Sequence, residues 1–373
     1  MLPQAPKKES RRNVWAKVES KDYNTNQIFN YMKKGTIIIL VMCFVFGVQN
    51  LWAQEKKQAS IAFYNLENLF DTIDSPMPGD FPWTPGGDKI WNTERYTHKL
   101  NNLSYVIQHL DGNEDEAGPD ILGVCEVENR DVLEDLIATE SLQKSNYGIV
   151  HYDSPDHRGI DVGLLYRKAN FEVLNSRSVT LTFPGEDYNT RDQLVVSGNL
   201  QGELIHVIVN HWPSRRGGPE KSEPRRIAAA KLTKSIIDSI RNTDPKAKIA
   251  VMGDLNDDPT NKSVTEILNA TPKKEEVKGT KLYNPLAILL TDDRGTLNYR
   301  GDWFLFDQIM FSTPWLTDKN IELLDYNIFD QDAVKVQADN KYKGDPLRTH
   351  AGKLYLKGYS DHFSVFTIWG FDN

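Results

Sequence analysis

Short apolar runs that end or begin at polar side chains constrain the fold of this chain more than any other feature. Runs such as residues 121–124 and 249–252 have the length and composition of buried strands. The polar groups beside such runs are carboxylates, amides and imidazoles. They occur in five segments: Tyr64-Asn65-Leu66-Glu67, Glu126, Asn210-His211-Trp212, Gly253-Asp254-Leu255-Asn256-Asp257 and Ser360-Asp361-His362. Because layered folds place their chemistry where strands meet loops, we expect these segments to converge on one site.

The order of the elements predicts the fold class. Predicted strands cover residues 60–66, 120–124, 161–166, 204–209, 249–252, 304–311 and 363–369. Apolar spacings of three and four predict helices over residues 96–110, 132–137 and 227–240. Strands alternate with helices early and follow one another closely later. This pattern favours an α/β protein, a four-layer sandwich in which two packed mixed sheets are flanked by helices, formed by residues 58–373.

The N-terminus is typical of an export signal. Lys33-Lys34 precede an uncharged apolar run over residues 37–48, and Ala53 follows. We therefore interpret residues 32–53 as a signal peptide, with Met32 as the true start and residues 1–31 as an over-extended, disordered N-terminus. The run is short for a membrane span of about 20 residues, although a membrane anchor is the alternative. A periplasmic or extracellular location follows.

Charge and cysteine content limit the partners and the means of stabilisation. The whole chain has a formal net charge of −8. Residues 1–53 hold 8 basic and 3 acidic residues, so 36 basic and 49 acidic side chains remain, a net charge of −13. A nonspecific nucleic-acid binder is usually basic, so a polyanionic substrate would need a local basic patch and bound cations. Only Cys125 remains after cleavage, so no disulfide can form within the mature chain.

Oxygen-bearing side chains at two predicted strand ends suit a hard cation. Asn65 and Glu67 stand two positions apart, which puts them on one face if the strand continues. Both suit Mg²⁺ or Ca²⁺, although a capping Asn and a surface Glu are the structural alternative. Glu126 follows a strand so apolar that an unpaired carboxylate would be costly to bury there. Its expected partner is a metal or an Arg.

Two further segments suit phosphate chemistry. His211 can donate to a phosphate oxygen or transfer a proton, or it is a half-buried structural His. Arg215 and Arg216 follow it in a local basic patch that either holds phosphates or forms the solvated start of a helix. In the Gly253 segment, Asp254 can take a proton from water and Asn256 can hold that water, unless the segment is an ordinary turn.

The C-terminal Ser360-Asp361-His362 segment begins the last predicted strand. The apolar residues that follow demand burial, which argues against a surface Asp-His pair. Asp307 lies in a strand of its own and can orient His362. A carboxylate-fixed imidazole beside the metal-facing Asp361 suits attack on a phosphodiester, where cations neutralise developing charge.

Taken together, these motifs resemble the endonuclease/exonuclease/phosphatase superfamily, which has the fold of pancreatic deoxyribonuclease, over residues 58–373. The resemblance implies that Asn65, Glu67, Glu126 and Asp361 hold the metal. It also implies that His211 and His362 contact the phosphate, that Asp254 and Asn256 set the water, and that Asp307 orients His362. Arg158 lies where family members often carry a supporting Arg. The residues around His211-Trp212 look like those of secreted bacterial nucleases.

The function we expect is a secreted phosphodiesterase that uses Mg²⁺, or else Mn²⁺ or Ca²⁺, and that acts as a nuclease on DNA or RNA. The same scaffold serves phospholipid and inositol-phosphate phosphohydrolases such as sphingomyelinases, so these remain the alternative. A catalytically inactive binding module is the third possibility, against which the intact motif set argues. We expect a monomer with a phosphodiester substrate and no stable membrane partner.

Overall fold

The computed structural model describes residues 56–76, 79–110 and 117–372. The predicted segments 1–31 and 32–53 lie outside these residues. The strands are β1 (Lys57–Leu69), β2 (Ile121–Val127), β3 (Tyr147–His151), β4 (Asp161–Arg167), β5 (Phe171–Val179), β6 (Gln193–Leu200), β7 (Glu203–His211), β8 (Lys248–Asp254), β9 (Ala270–Thr271), β10 (Leu282–Tyr283), β11 (Leu297–Tyr299), β12 (Asp302–Phe304), β13 (Asp307–Ser312), β14 (Ile321–Phe329), β15 (His350–Ala351), β16 (Leu354–Tyr355) and β17 (Ser364–Phe371). The α-helices are α1 (Thr93–Gln108), α2 (Arg130–Ile137), α3 (Pro219–Thr243) and α4 (Thr313–Thr317).

Thirteen of the strands form two large mixed sheets. One has six strands in the order β14-β17-β1-β2-β4-β3, and the other has seven in the order β5-β6-β7-β8-β13-β10-β9. Each sheet contains one central parallel pair, β1 with β2 and β7 with β8. The next strand in each sheet is antiparallel, β17 beside β1 and β13 beside β8. The other four strands form two-stranded ribbons.

The two sheets pack face to face, and helices cover their outer faces. A Cβ atom on Gly123 of β2 would lie 2.5 Å from the Met252 sulfur of β8, so the sheets approach closely there. Leu103 of α1 and Leu133 of α2 pack in one hydrophobic cluster with residues of the six-stranded sheet. Ala229 of α3 packs in a second cluster with residues of the seven-stranded sheet. Because both faces of each sheet are covered, the central strands are nearly continuous apolar runs. The four-layer α/β prediction is confirmed.

The predicted strand 304–311 and the start of the predicted helix 227–240 differ most from the structure. The predicted strand 304–311 is broken between β12 and β13. There the Leu305 N–H donates to Asp258 Oδ1 at 2.9 Å, and the Phe306 carbonyl accepts from the Leu255 N–H at 2.8 Å. Helix α3 begins at Pro219, eight residues before the predicted start, and proline suits the first helical position. No helix of the described part of the chain is long and apolar enough to cross a membrane.

Candidate active site

The strand register brings the polar segments to one edge of the sandwich. In the seven-stranded sheet, His211 pairs with Asp254 across parallel strands, and β13 starts at Asp307, opposite Asp254. In the other sheet β1 ends just beyond Asn65, and its antiparallel neighbour β17 begins just after His362. Because the ends of parallel strands meet the beginnings of their antiparallel neighbours, residues far apart in sequence come together at this edge.

Left-handed backbone conformations occur near the ends of these strands. Glu67, Asn68, Glu126 and Asn256 all have left-handed backbone conformations, with φ between 48° and 61°. Such angles are uncommon in residues other than glycine, and they concentrate at functional sites. Glu67 and Asn68 lie at an irregularity within β1, Glu126 lies at one within β2, and Asn256 follows β8.

Asp254 lies at the centre of the candidate site and is almost fully buried. Its Oδ2 accepts a hydrogen bond from Asn65 Nδ2 at 3.1 Å, and it lies 3.6 Å from His211 Nε2 and 3.9 Å from His362 Nε2. Its Oδ1 accepts from the Asn256 N–H at 2.9 Å. Burial raises the pKa of Asp254 to about 6, although the charge of His362 opposes this shift. A carboxylate with such a pKa suits proton transfer near neutral pH.

His362 is fixed by a carboxylate behind it. Its Nδ1 lies 2.7 Å from Oδ2 of Asp307, which is fully buried. Burial lowers the pKa of His362, but the charges of Asp307 and Asp254 outweigh it and hold that pKa well above its usual range. His362 is therefore an imidazolium whose Nε2–H points toward Asp254 and the space beside it. The predicted pairing of Asp307 with His362 is present.

His211 differs from His362 in its charge. It is buried, its Nδ1 has no hydrogen-bond partner among the described residues, and its Nε2 faces Asp254. Burial, together with the charges of Arg191 and Arg158, lowers the pKa of His211 well below its usual range. His362 is thus charged and can act as a cationic donor. His211 is neutral and can make an uncharged polar contact.

Glu126 lies on the six-stranded side of the site and faces a guanidinium. Arg158 Nη1 donates to Glu126 Oε1 at 3.3 Å and Nη2 donates to Oε2 at 3.2 Å, while the Asn68 N–H donates to Oε2 at 2.9 Å. Burial raises the pKa of Glu126, but Arg158 outweighs it and holds that pKa below its usual value. The sequence left a metal or an Arg as the expected partner of Glu126. The carboxylate suits either, and Arg158 is in direct contact with it.

Glu67 is buried and turned toward the loop before β15. Its Oε2 accepts from the Thr349 N–H at 2.6 Å and lies 3.8 Å from the Lys99 ammonium. Burial and the charge of Asp361 raise the pKa of Glu67 to about 7. Glu67 therefore connects β1 to helix α1 and to the C-terminal loop in this structure, whereas the sequence predicted it as a metal ligand.

The residues at this edge fit a divalent cation. Asn65, Glu126 and the partly buried Asp361 offer the amide and carboxylate oxygens that hard cations prefer. Asn65 Oδ1 accepts from the Glu67 N–H at 2.9 Å and retains a second lone pair. The guanidinium beside Glu126 shows that positive charge is stabilised at this position.

Cys125, His211 and Asp254 also lie close enough together to hold one ion. A separate group, His151 with Asp153 and Asp161, was not predicted.

The structure separates the two arginines of the predicted phosphate patch. Arg215 Nη2 donates to Asp258 Oδ2 and Asn261 Oδ1, each at 3.0 Å, and its guanidinium stacks on Phe306 at 4.5 Å from the ring centroid. Arg215 thus braces the loop after β8. Arg216 is exposed and lines a cleft of about 630 Å³, to which Arg158 also contributes.

Three residues that the sequence reasoning missed hold the site in place. Arg191 is buried, and it donates to the Trp212 carbonyl at 2.6 Å, which also accepts from Asn256 Nδ2 at 3.1 Å. Lys99 contacts Glu67, and Asn68 Oδ1 accepts from Arg158. Only Lys99 carried a sequence signal, because it occupies the apolar side of an amphipathic helix.

Comparison with known proteins agrees with this fold. Residues 60–369 match the Endonuclease/Exonuclease/phosphatase family. D. rerio TDP2, humanized by 14 mutations, has a similar structure with a TM-score of 0.52 at 15% identity, over 84% of this chain and 98% of that chain. A family protein from Bacteroides thetaiotaomicron gives 0.52 at 16% identity, over 85% and 99%. A mannosyl-6-phosphatase of the same species gives 0.50 at 16%, over 83% and 98%. At these identities the likeness shows the fold alone, and no curated protein sequence matches the chain.

The fold and the family match define a hydrolase of phosphoester bonds. The chain belongs to the endonuclease/exonuclease/phosphatase family, whose enzymes typically use divalent metals.

Proposed function

We propose that this protein is a Mg²⁺-dependent phosphodiesterase that acts as a nuclease. The observation that carries the proposal is the meeting of the Asp307–His362 pair with the buried Asp254 at the shared edge of the two sheets. Together these groups supply a cationic donor for a phosphate and a base for water. D. rerio TDP2, whose fold is similar, was solved with a single-strand DNA product, which makes DNA the first substrate to test.

Asp254 accepts the proton of the attacking water. Its pKa of about 6 leaves it ionised near neutral pH, and it is still basic enough to take a proton as the water oxygen bonds to phosphorus and the bond from phosphorus to the leaving oxygen breaks. The leaving oxygen then takes a proton from solvent. Asn256 holds the water from the loop after β8, where its amide is fixed against the Trp212 carbonyl. Asn65 donates to the other side of Asp254 and so fixes the orientation of the carboxylate.

His362 and His211 bind the phosphate. The charged His362 donates through Nε2 to a nonbridging oxygen, and Asp307 holds the ring from behind. The neutral His211 contacts a second oxygen. Asn65, Glu126 and Asp361 would hold a divalent ion, which would neutralise charge on the phosphate oxygens. Because these donors are fixed before substrate arrives, little reorganisation accompanies charge development.

A substrate panel tests this proposal. The purified protein is incubated with single-stranded DNA, duplex DNA, RNA, sphingomyelin, phosphoinositides and mannose 6-phosphate, each with Mg²⁺ and each with EDTA. We expect metal-dependent cleavage of nucleic acid. Turnover of only a lipid or a phosphomonoester would refute the nuclease assignment, and activity unchanged by EDTA would refute the metal requirement.

Two His variants separate the site from the scaffold. His362→Ala should lower turnover of the best substrate by about 10²–10⁴-fold while the fold remains intact. His206→Ala is the matched control, because His206 lies five residues before His211 in β7 and its side chain hydrogen-bonds to Ser197. Full activity in a well-folded His362→Ala protein would remove His362 from the mechanism.

We also propose that the chain is exported. Three features of the sequence support export: the basic pair at 33–34, the apolar run at 37–48 and the small residue Ala53. Mass spectrometry of the protein from fractionated cells should find an N-terminus close to residue 54 in the periplasm or the medium. An intact N-terminus on cytoplasmic protein would contradict export.

A further inference from the structure

A cleft beside the candidate site carries an excess of positive charge. It has a volume of about 630 Å³, and its lining includes Arg158, Arg191, Arg216, Lys221 and Arg225. Five cationic side chains around one cleft are unusual in a chain whose formal net charge is −8. We name this feature the cationic cleft.

Three of the five charges are compensated. Arg158 contacts Glu126, and Arg191 Nη1 lies 3.0 Å from Asp156. Arg225 lies 2.7 Å from Glu186, with its guanidinium 3.8 Å from the centroid of the Tyr188 ring.

The other two charges, on Arg216 and Lys221, are available to a ligand. Both are exposed, and neither has a carboxylate oxygen within 4.0 Å among the described residues. Arginine and lysine that are free of carboxylate partners are the usual ligands of phosphate.

The backbone adds to this positive character. Gly217 and Gly218 turn the chain between β7 and α3 with φ angles of 86° and 110°, which glycine adopts readily. Helix α3 then begins at Pro219 without a side-chain cap, and Lys221 stands in its first turn. The positive end of a 25-residue helix therefore lies at the wall of the cleft, where it favours anions.

Two residues belong to both the cationic cleft and the candidate site. Arg158 lines the cleft and also contacts Glu126. Arg191 lines it and also donates to the Trp212 carbonyl, the same oxygen to which Asn256 donates. An anion in the cleft and a phosphate at His362 can thus belong to one molecule.

We propose that the cationic cleft is a second anion subsite, which binds a phosphate group adjacent to the scissile one. The inference rests on the proposed phosphodiesterase function and narrows its substrate to molecules with at least two phosphates in series, such as a nucleic-acid strand. Arg216 and Lys221 bind the second phosphate, while His211 and His362 bind the first.

The double variant Arg216→Ala/Lys221→Ala tests the subsite by binding and by turnover. The control Lys144→Ala/Lys231→Ala removes the same charge from exposed positions that do not line the cleft. Binding is measured by the anisotropy of fluorescein-labelled trithymidylate in EDTA, so that no cleavage is required. We expect Kd to rise about tenfold or more in the cleft variant and less than twofold in the control. The slope of log Kd against log salt should also fall by about one to two.

Turnover distinguishes the subsite from the catalytic centre. Bis(p-nitrophenyl) phosphate has one phosphate, so the cleft variant should keep its kcat/KM within about twofold, whereas KM for trithymidylate should rise with its Kd. Equal losses on both substrates, or unchanged trithymidylate binding, would overturn the subsite. A wild-type protein that binds trithymidylate through Arg216 and Lys221 but cleaves neither substrate would refute the phosphodiesterase and leave the subsite standing.

Discussion

The buried pair of Lys99 and Glu67 gives a prediction that links stability to the site. The Lys99 side chain has 0% exposure, and its ammonium donates to Thr349 Oγ1 at 2.7 Å and to the Tyr359 carbonyl. The Tyr359 carbonyl immediately precedes Ser360, whose hydroxyl donates to the Asn65 carbonyl at 2.7 Å. Lys99 therefore fixes the segment that leads into Asp361 and His362.

Replacing Lys99 with Met keeps the bulk of the side chain and removes the charge. Breaking a buried ion pair costs about 3–5 kcal/mol, and because Lys99 is inaccessible to water no solvent screening reduces this. Uptake of a proton by Glu67 does reduce this cost, because the pKa of Glu67 is already about 7 and rises further without Lys99. We therefore expect Lys99→Met to lower the free energy of unfolding by about 2–4 kcal/mol at pH 8.

The loss should depend on pH in a definite direction. The pKa of Glu67 is raised on folding, so its stabilising effect is complete at low pH and is lost as pH rises through about 7. In the variant, Glu67 keeps its proton to higher pH, because no cation shares the site. Burial lowers the pKa of Lys99 to about 8. The free energy of unfolding of the wild type therefore also rises relative to that of the variant as pH increases past this value. The difference between the two proteins should thus grow from pH 6 to pH 8.5.

Urea denaturation of both proteins at pH 6 and pH 8.5 measures this difference, with turnover recorded in parallel. The exposed Lys231→Met serves as the control and should change stability by less than about 0.5 kcal/mol. Turnover of Lys99→Met should fall, because the loop before His362 loses an anchor. A loss below about 1 kcal/mol at pH 8.5, or one that is larger at pH 6, would refute the reasoning.

Three further variants test other parts of the account. Asp307→Asn should lower kcat by about 10²–10⁴-fold and should also lower stability, because it removes the anionic partner of the buried His362; a kcat within threefold of wild type in the folded variant would exclude the orienting role. Arg158→Met leaves Glu126 without its cation, so added Mg²⁺ should raise Tm more than it does in wild type; an equal rise would separate Glu126 from the metal. Gly123→Ala places a Cβ 2.5 Å from the Met252 sulfur and should lower the free energy of unfolding by about 1–3 kcal/mol in urea, whereas unchanged stability would contradict close packing of the sheets.

The sequence predicted the layers and the edge that bears the site, because strand length and polar strand ends are local patterns. His211, Asp254 and Asp307 follow or begin strands that pair with one another, so the register alone brings them together. The prediction of Asp307 behind His362 needed only that both strands start at the same edge.

Side-chain direction was not predictable in the same way. Glu67 was expected to face the metal. In the structure its backbone is left-handed and its carboxylate accepts a hydrogen bond from the Thr349 N–H. Because Thr349 is 282 residues away in the sequence, no local pattern could predict this contact. Arg215 and Arg216 are neighbours with the same chemistry, and only the loop after β8 decides that Arg215 braces the fold. The strands β5 and β14 have half-exposed, irregular patterns and were not predicted.

We propose that one divalent ion lies among side chains from different strands. Crystals grown with Mn²⁺ and measured for anomalous scattering test it directly. We expect the strongest peak among the oxygens of Asn65, Glu126 and Asp361. A strongest peak at His151 and Asp161, with no manganese beside Glu126, would contradict it.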